Sequence, residues 1–195
     1  MGLLGIPINP NRGKENNIYH RHSNYSNSNA VKNLIRYITR TRENEDRGND
    51  LIVYGAVGAG YDFHPDIIIK QFLFVQNKYG INSKGGRRMY HEVFNLYDCE
   101  AADLNYDRMQ LFWLGMECSK IYLKMGFQAV FAVHWEEGKH YHIHFAVNSI
   151  NFTNGRKWHT SLEEIKLRED IFNHILFSQQ IALKGTASPI IFSEK

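Results

Sequence analysis

A chain of 195 residues, 43% apolar and 22% charged, is long enough for one domain with a real core, and its composition excludes a collagen, a coiled coil or a wholly disordered polymer. The net charge of +3 permits a nucleic-acid partner without demanding one. Two cysteines, Cys99 and Cys118, form no disulfide framework and fit a reducing, cytoplasmic setting, and no apolar run approaches the ~20 residues of a membrane span.

The opening MGLLGIPINPNRGK lacks the basic and long apolar regions of a signal peptide. Residues 1–29 are rich in Asn, Ser, Gly and Pro and read as loop, with Ile6, Ile8 and Ile18 able to seed short strand pieces. Val31, Leu34, Ile35 and Ile38 recur at helical spacing and predict a helix capped by Ser28 or Asn29. Tyr37 sits at the flank of its apolar stripe, with Arg36, Arg40 and Arg42 close by in sequence. A solvated loop then leads into a short strand over Leu51–Val57, ended by a glycine cluster that lacks the Gly-Lys-Ser/Thr of a phosphate loop.

DIIIKQFLFVQNK after Pro65 has the length of a helix, and a basic loop from Lys84 to Arg88 leads into the strand MYHEVFNL. A long helix is expected from Asp103 to Met125, with Met109, Phe112, Trp113, Met116 and Leu123 facing inward. QAVFAVHW and HYHIHFAVN read as two strands of one hairpin, and Thr160-Ser-Leu-Glu163 as a capping box that opens a final helix. The order β–α–β–α–β–α–β–β–α predicts one α+β domain over residues 1–185, a mostly antiparallel central sheet with helices packed on one face, and a linker-like tail over 186–195.

The chemistry is concentrated in that hairpin. Alternation along a strand puts His142, His144, Ala146 and Asn148 on one face and Tyr141, Ile143, Phe145 and Val147 on the other. Two imidazoles on one strand face, roughly 6.5–7 Å apart, can converge on one ion, and His134 at the end of the preceding strand can return a third nitrogen. Three neutral histidines with open positions left over describe a catalytic divalent site. Glu136 either orients a ligand histidine or is a solvated turn residue.

The order His134, Glu136, His142, His144, Asn148 resembles the third motif of Mob-type conjugative and mobilisation relaxases (MobP/VirD-like), which belong to the HUH endonucleases. Asn33-Leu-Ile-Arg-Tyr37-Ile-Thr is similar to their first motif, whose tyrosine is the nucleophile, and Met89-Tyr-His91-Glu-Val-Phe to their second. Asn95 stands near where the second motif carries serine, Glu136 where relatives carry Asp, and the turn before His142 is one residue longer.

The resemblance implies a ferredoxin-like, RRM-related fold and site-specific nicking and rejoining of single-stranded DNA at a transfer origin. It further implies a divalent ion (Mn, Mg, Zn, Co or Ni) on His134, His142 and His144, and Tyr37 as nucleophile with His91 and Glu136 assisting. Tyr19, Tyr25, His20 and His22 are the rival positions for the nucleophile. Arg36, Arg40, Lys84, Arg87, Arg88, Asn148, Arg156, Lys157 and Trp158 are the candidate DNA contacts, and accessory transfer proteins and a coupling protein the expected partners. A rolling-circle replication initiator or single-strand transposase shares the histidine strand, but the helix after Thr160 carries no tyrosine. A cupin-like dioxygenase is opposed by the long helices, and a catalytically silent DNA-binding module by the intact ligand set.

Overall fold

The computed structural model describes residues 17–20, 25–42, 50–60, 62–80, 86–96, 107–135 and 141–186. The elements follow the expected order: β1 (Asn17–His20), α1 (Ala30–Ile38), β2 (Leu51–Val57), α2 (Pro65–Lys78), β3 (Met89–Leu96), α3 (Arg108–Lys124), β4 (Ala129–Trp135), β5 (Tyr141–Asn148) and α4 (Leu162–Thr186). Lys84, Glu136, His22 and the tail 187–195 lie outside the described residues, as do the side chains of Tyr19 and His20.

The five strands form one antiparallel sheet in the order β1-β3-β5-β4-β2. β5 runs through its middle and is buried from Ile143 onward, so its two faces must meet two different layers. Ile143, Phe145 and Val147 join Phe131, Val133 and Phe94 in the larger core, which α3 and α4 cover with Leu111, Leu114, Tyr122, Phe172 and Leu176. On the other face Ala132, Ala146 and Val130 are small enough for helices to approach, and Leu34, Ile35, Ile38, Ile68 and Phe72 of α1 and α2 fill that space. The fold is α+β with a central antiparallel sheet. The two long helices take the apolar face as expected, while α1 and α2 add a partial layer on the histidine face.

The inward face of α3 differs in part from the expectation: Phe112 and Met116 pack against the core, but the other three do not. Leu111, Leu114, Gly115, Cys118 and Tyr122 face the sheet, while Met109, Trp113 and Leu123 are exposed. The reason is volume: a Cβ on Gly115 would lie 2.3 Å from Phe131 Cδ2, so the helix turns its glycine to that buried ring of the sheet. The helix starts are specified by capping. Asp107 and Gln110 bond each other's backbone N–H at the start of α3. Ser161 and Glu164 do the same for α4, one residue later than the box expected at Thr160 and Glu163. Asn29 caps α1 without a side-chain bond.

Candidate active site

The register of the β4–β5 hairpin sets His134 directly opposite His142, and alternation returns His144 to the same face. Ring centroids are 5.4 Å apart for His134–His142, 4.5 Å for His134–His144 and 4.9 Å for His142–His144. One ring nitrogen from each lies within 4.8 Å of the others. An ion about 2.0–2.1 Å from each nitrogen would hold any two of them at most about 4.2 Å apart, a spread that small rotations of the rings can reach. Burial, reinforced by the nearby Arg40 guanidinium, pushes the His134 pKa down to about 4, so the ring is neutral at neutral pH, as a metal ligand must be. The three imidazoles therefore fit a divalent ion.

Behind the cluster, His91 on β3 is held between two partners. Its Nε2 is 2.8 Å from His144 Nδ1, and its Nδ1 is 3.1 Å from the Tyr25 hydroxyl. Both ring nitrogens are thereby engaged, and His91 buttresses the ring of His144 from behind.

Tyr37 projects from the last turn of α1 onto the cluster. Its ring stands edge-on to His91 at 5.9 Å and to His144 at 6.0 Å, with the guanidinium carbons of Arg40 and Arg42 each 5.2 Å from its centroid. Ile38, the next residue, stays in the core, and its carbonyl lies 2.6 Å from His134 Nε2. The helix thus delivers the tyrosine and anchors the first histidine with consecutive residues.

Asp50 is a member of the site that sequence reasoning missed. Leu51 pairs with His134, and the Trp135 N–H donates to the Asp50 carbonyl, so the strand entry carries the Asp50 carboxylate to the histidine cluster. Arg40 binds that carboxylate through Nε at 2.8 Å and Nη2 at 2.5 Å, and Asp50 Oδ2 lies 3.6 Å from His134 Nδ1. Only the pairing of β2 with β4, which are separated in sequence by α2, β3 and α3, reveals this; in the sequence Asp50 ends a charged loop.

The expected DNA contacts divide. Trp158 is in the core, stacked against Tyr90 at 4.6 Å and Phe127 at 5.5 Å, and Asn148 is buried with its amide bonded to Gln76, Gln128 and the Phe72 carbonyl. Both are structural: α2 ties down Asn148 on one face of the sheet, and Trp158 packs with Tyr90, Tyr122 and Phe127 on the other. Arg36 pairs with Asp66 at 2.7 Å, and Arg40 is committed to Asp50. Arg87, Arg88, Arg156 and Lys157 are exposed or half-buried, and Gly86 lies against the Lys157 ammonium, so the loop before β3 and the turn after β5 form one basic surface.

A central hairpin presenting three convergent imidazoles, faced by a tyrosine on the first helix, defines a histidine-cluster nuclease domain. The family described as "Relaxase: MobA/VirD2-like, nuclease domain" matches residues 37–179, nearly three quarters of the chain, and the chain belongs to this relaxase family. The match begins on Tyr37 itself and takes in all three histidines. A comparison with curated proteins finds no match. Among the described residues no helix is long and apolar enough to cross a membrane.

Proposed function

We propose that this domain nicks and rejoins one strand of a transfer origin by transesterification, with Tyr37 as nucleophile. The observation that carries the reading is the Tyr37 ring packed edge-on against His144, a member of the only potential metal cluster of three or more ligands among the described residues. A divalent ion held by His134, His142 and His144 would supply Lewis-acid polarisation of the scissile phosphate.

The Tyr37 phenolic oxygen forms the new bond to phosphorus as the bond from phosphorus to the 3′ oxygen breaks. A 5′-phosphotyrosine and a free 3′-hydroxyl result, the phenolic proton being lost and the 3′ oxygen gaining one. Because the phosphodiester is exchanged and not hydrolysed, attack by a 3′-hydroxyl reverses the step without an added energy source. His91 holds His144, the Ile38 carbonyl holds His134, and Tyr37 is held by packing, so the reacting groups are arranged before DNA arrives. Arg87, Arg88, Arg156 and Lys157 supply the phosphate contacts, together with Lys84; Glu136 assists from the hairpin turn.

A labelled single-stranded origin oligonucleotide, incubated with protein and then denatured, tests the reading. Wild type is expected to retain label as a covalent adduct and Tyr37→Phe to retain none. Tyr25 is the rival, because its hydroxyl reaches His91. An adduct that survives Tyr37→Phe and disappears in Tyr25→Phe moves the nucleophile to Tyr25 and leaves the rest of the mechanism in place.

A further inference from the structure

Arg40 follows the end of α1 in a left-handed backbone conformation (φ 55), the only such non-glycine residue among the described ones. This is the left-handed residue that ends a helix, with the N–H groups of Thr41 and Arg40 capping the carbonyls of Arg36 and Tyr37. The side chain makes four hydrogen bonds: Nε to Asp50 Oδ1 at 2.8 Å, Nη2 to Asp50 Oδ2 at 2.5 Å, Nη1 to the Tyr37 carbonyl at 2.8 Å and Nη2 to His134 Nδ1 at 2.9 Å, the last on the lone pair that an ion bound by His134 would take over, since its Nε2–H donates to Ile38. The guanidinium carbon also lies 5.2 Å from the Tyr37 ring centroid. An arginine has five N–H donors, and four are spent on named protein atoms, so little is left for a DNA phosphate.

What the four bonds join is informative. One rigid planar cation touches the residue that would attack phosphorus and a residue that would hold the ion polarising it. The Asp50 carboxylate fixes the plane of that cation by a two-point contact that lysine cannot reproduce. We propose that Arg40, locked by Asp50, is a positioning residue that sets Tyr37 relative to His134, and is not a DNA-backbone contact. The proposal rests on the relaxase reading of Tyr37 and the histidines.

The test uses the full 195-residue chain as wild type, Arg40→Lys, Arg40→Gln and Asp50→Asn, with thermal unfolding to select folded variants. Three quantities are measured: the single-turnover nicking rate at saturating oligonucleotide, the salt dependence of oligonucleotide affinity, and Mn²⁺ affinity by calorimetry. A misplacement of about 1 Å between reacting groups can cost ~100-fold in rate, so Arg40→Lys and Asp50→Asn are each expected to slow nicking by about that factor. Oligonucleotide affinity and its salt slope should stay at wild-type values. Mn²⁺ affinity should fall about 10-fold in Asp50→Asn, because the carboxylate 3.6 Å from His134 Nδ1 would no longer offset the Arg40 charge beside the ion.

A salt slope reduced by about one in Arg40→Lys or Arg40→Gln would make Arg40 a phosphate contact and overturn the proposal. Tighter DNA binding in Asp50→Asn, from a released guanidinium, would do the same. So would unchanged nicking in folded Arg40→Lys. If wild type forms no adduct with any single strand, the relaxase reading fails. The Mn²⁺ arm then still decides whether Arg40 and Asp50 act on the His134 site, and unchanged Mn²⁺ affinity in Asp50→Asn would reject that effect.

Discussion

His91 Nε2 lies 2.8 Å from His144 Nδ1, and this one contact dictates the direction of a hydrogen-bond chain. A neutral His144 that offers Nε2 to an ion must carry its proton on Nδ1 and donate it to His91 Nε2. His91 then carries its own proton on Nδ1 and donates to the Tyr25 oxygen, 3.1 Å away. The chain ends on a phenol that is free to accept. Each member sets the tautomer of the next.

His91→Ala removes the acceptor behind His144, so metal affinity should fall about 10- to 100-fold, with single-strand binding nearly unchanged. Tyr25→Phe removes only the last link and should cost less. Calorimetric titration with Mn²⁺ or Co²⁺ measures both. A His91→Ala protein that binds metal as tightly as wild type but nicks slowly would return His91 to the role of base.

The fold's response to acid should be dominated at first by His134. Its folded pKa of about 4 lies below the ordinary histidine value near 6.5, because burial and Arg40 disfavour the charged ring. Between these values the unfolded chain binds a proton that the native protein does not, so stability rises with pH across the window and falls as pH is lowered from about 6.5 to about 4. The shift corresponds to a loss of about 3 kcal/mol at most. Asp50, held below the usual carboxylate range by Arg40, adds a further loss at still lower pH as its paired carboxylate is protonated. Urea unfolding of metal-free protein at pH 7 and pH 4.5 should show the loss in wild type and a smaller one in His134→Gln.

On the opposite face, Glu92 and Arg168 form a buried pair that tethers α4 to β3. Arg168 donates to Glu92 at 2.6 and 3.2 Å, and the Tyr122 hydroxyl donates to the same carboxylate at 2.5 Å. Glu92→Leu leaves a buried guanidinium without its carboxylate and should cost about 3–5 kcal/mol of stability. Glu92→Leu with Arg168→Met should recover much of it, since a well-packed apolar pair of similar volume can replace a buried ion pair. Denaturant unfolding of the single and double variants checks the coupling.

The legible part of the protein was its alternation. His142, His144 and Asn148 share a face because strand period is two, and that is readable in any strand bounded by a turn. The stripe Val31, Leu34, Ile35 and Ile38 is equally readable, and all four are buried. Asn148 and Trp158 were misread as DNA contacts because nothing local distinguishes an exposed polar or aromatic residue from one covered by a distant helix or turn. Asp50 and the Tyr25–His91 contact were invisible for a related reason. They depend on β2 joining β4 and on the loop before α1 folding over β3, which are long-range pairings. On α3 size alone points to Met109, Trp113 and Leu123 as inward, whereas the close approach to Phe131 selects Gly115 and Cys118.

That approach gives the last prediction. Phe131 is wholly buried between Gly115 on α3 and Gly55 on β2, where added Cβ atoms would stand 2.3 and 2.7 Å from its ring. Alanine at position 115 improves intrinsic helix propensity by up to about 1 kcal/mol. Against this, forcing a methyl into a close-packed core costs about 1–3 kcal/mol, and the obstacle is a ring that Phe112 and Gly55 prevent from moving aside. Overpacking should win, so Gly115→Ala is expected to lower stability by about 1–2 kcal/mol despite the better helix former. Phe131→Leu alone should also destabilise, by loss of buried surface. The double variant should be more stable than the sum of the two single losses allows, because the leucine frees the volume that the alanine needs. Urea unfolding of all four proteins closes the cycle. A Gly115→Ala protein at least as stable as wild type, or strictly additive losses, would show that α3 can retreat from the sheet and that the glycine does not set its distance.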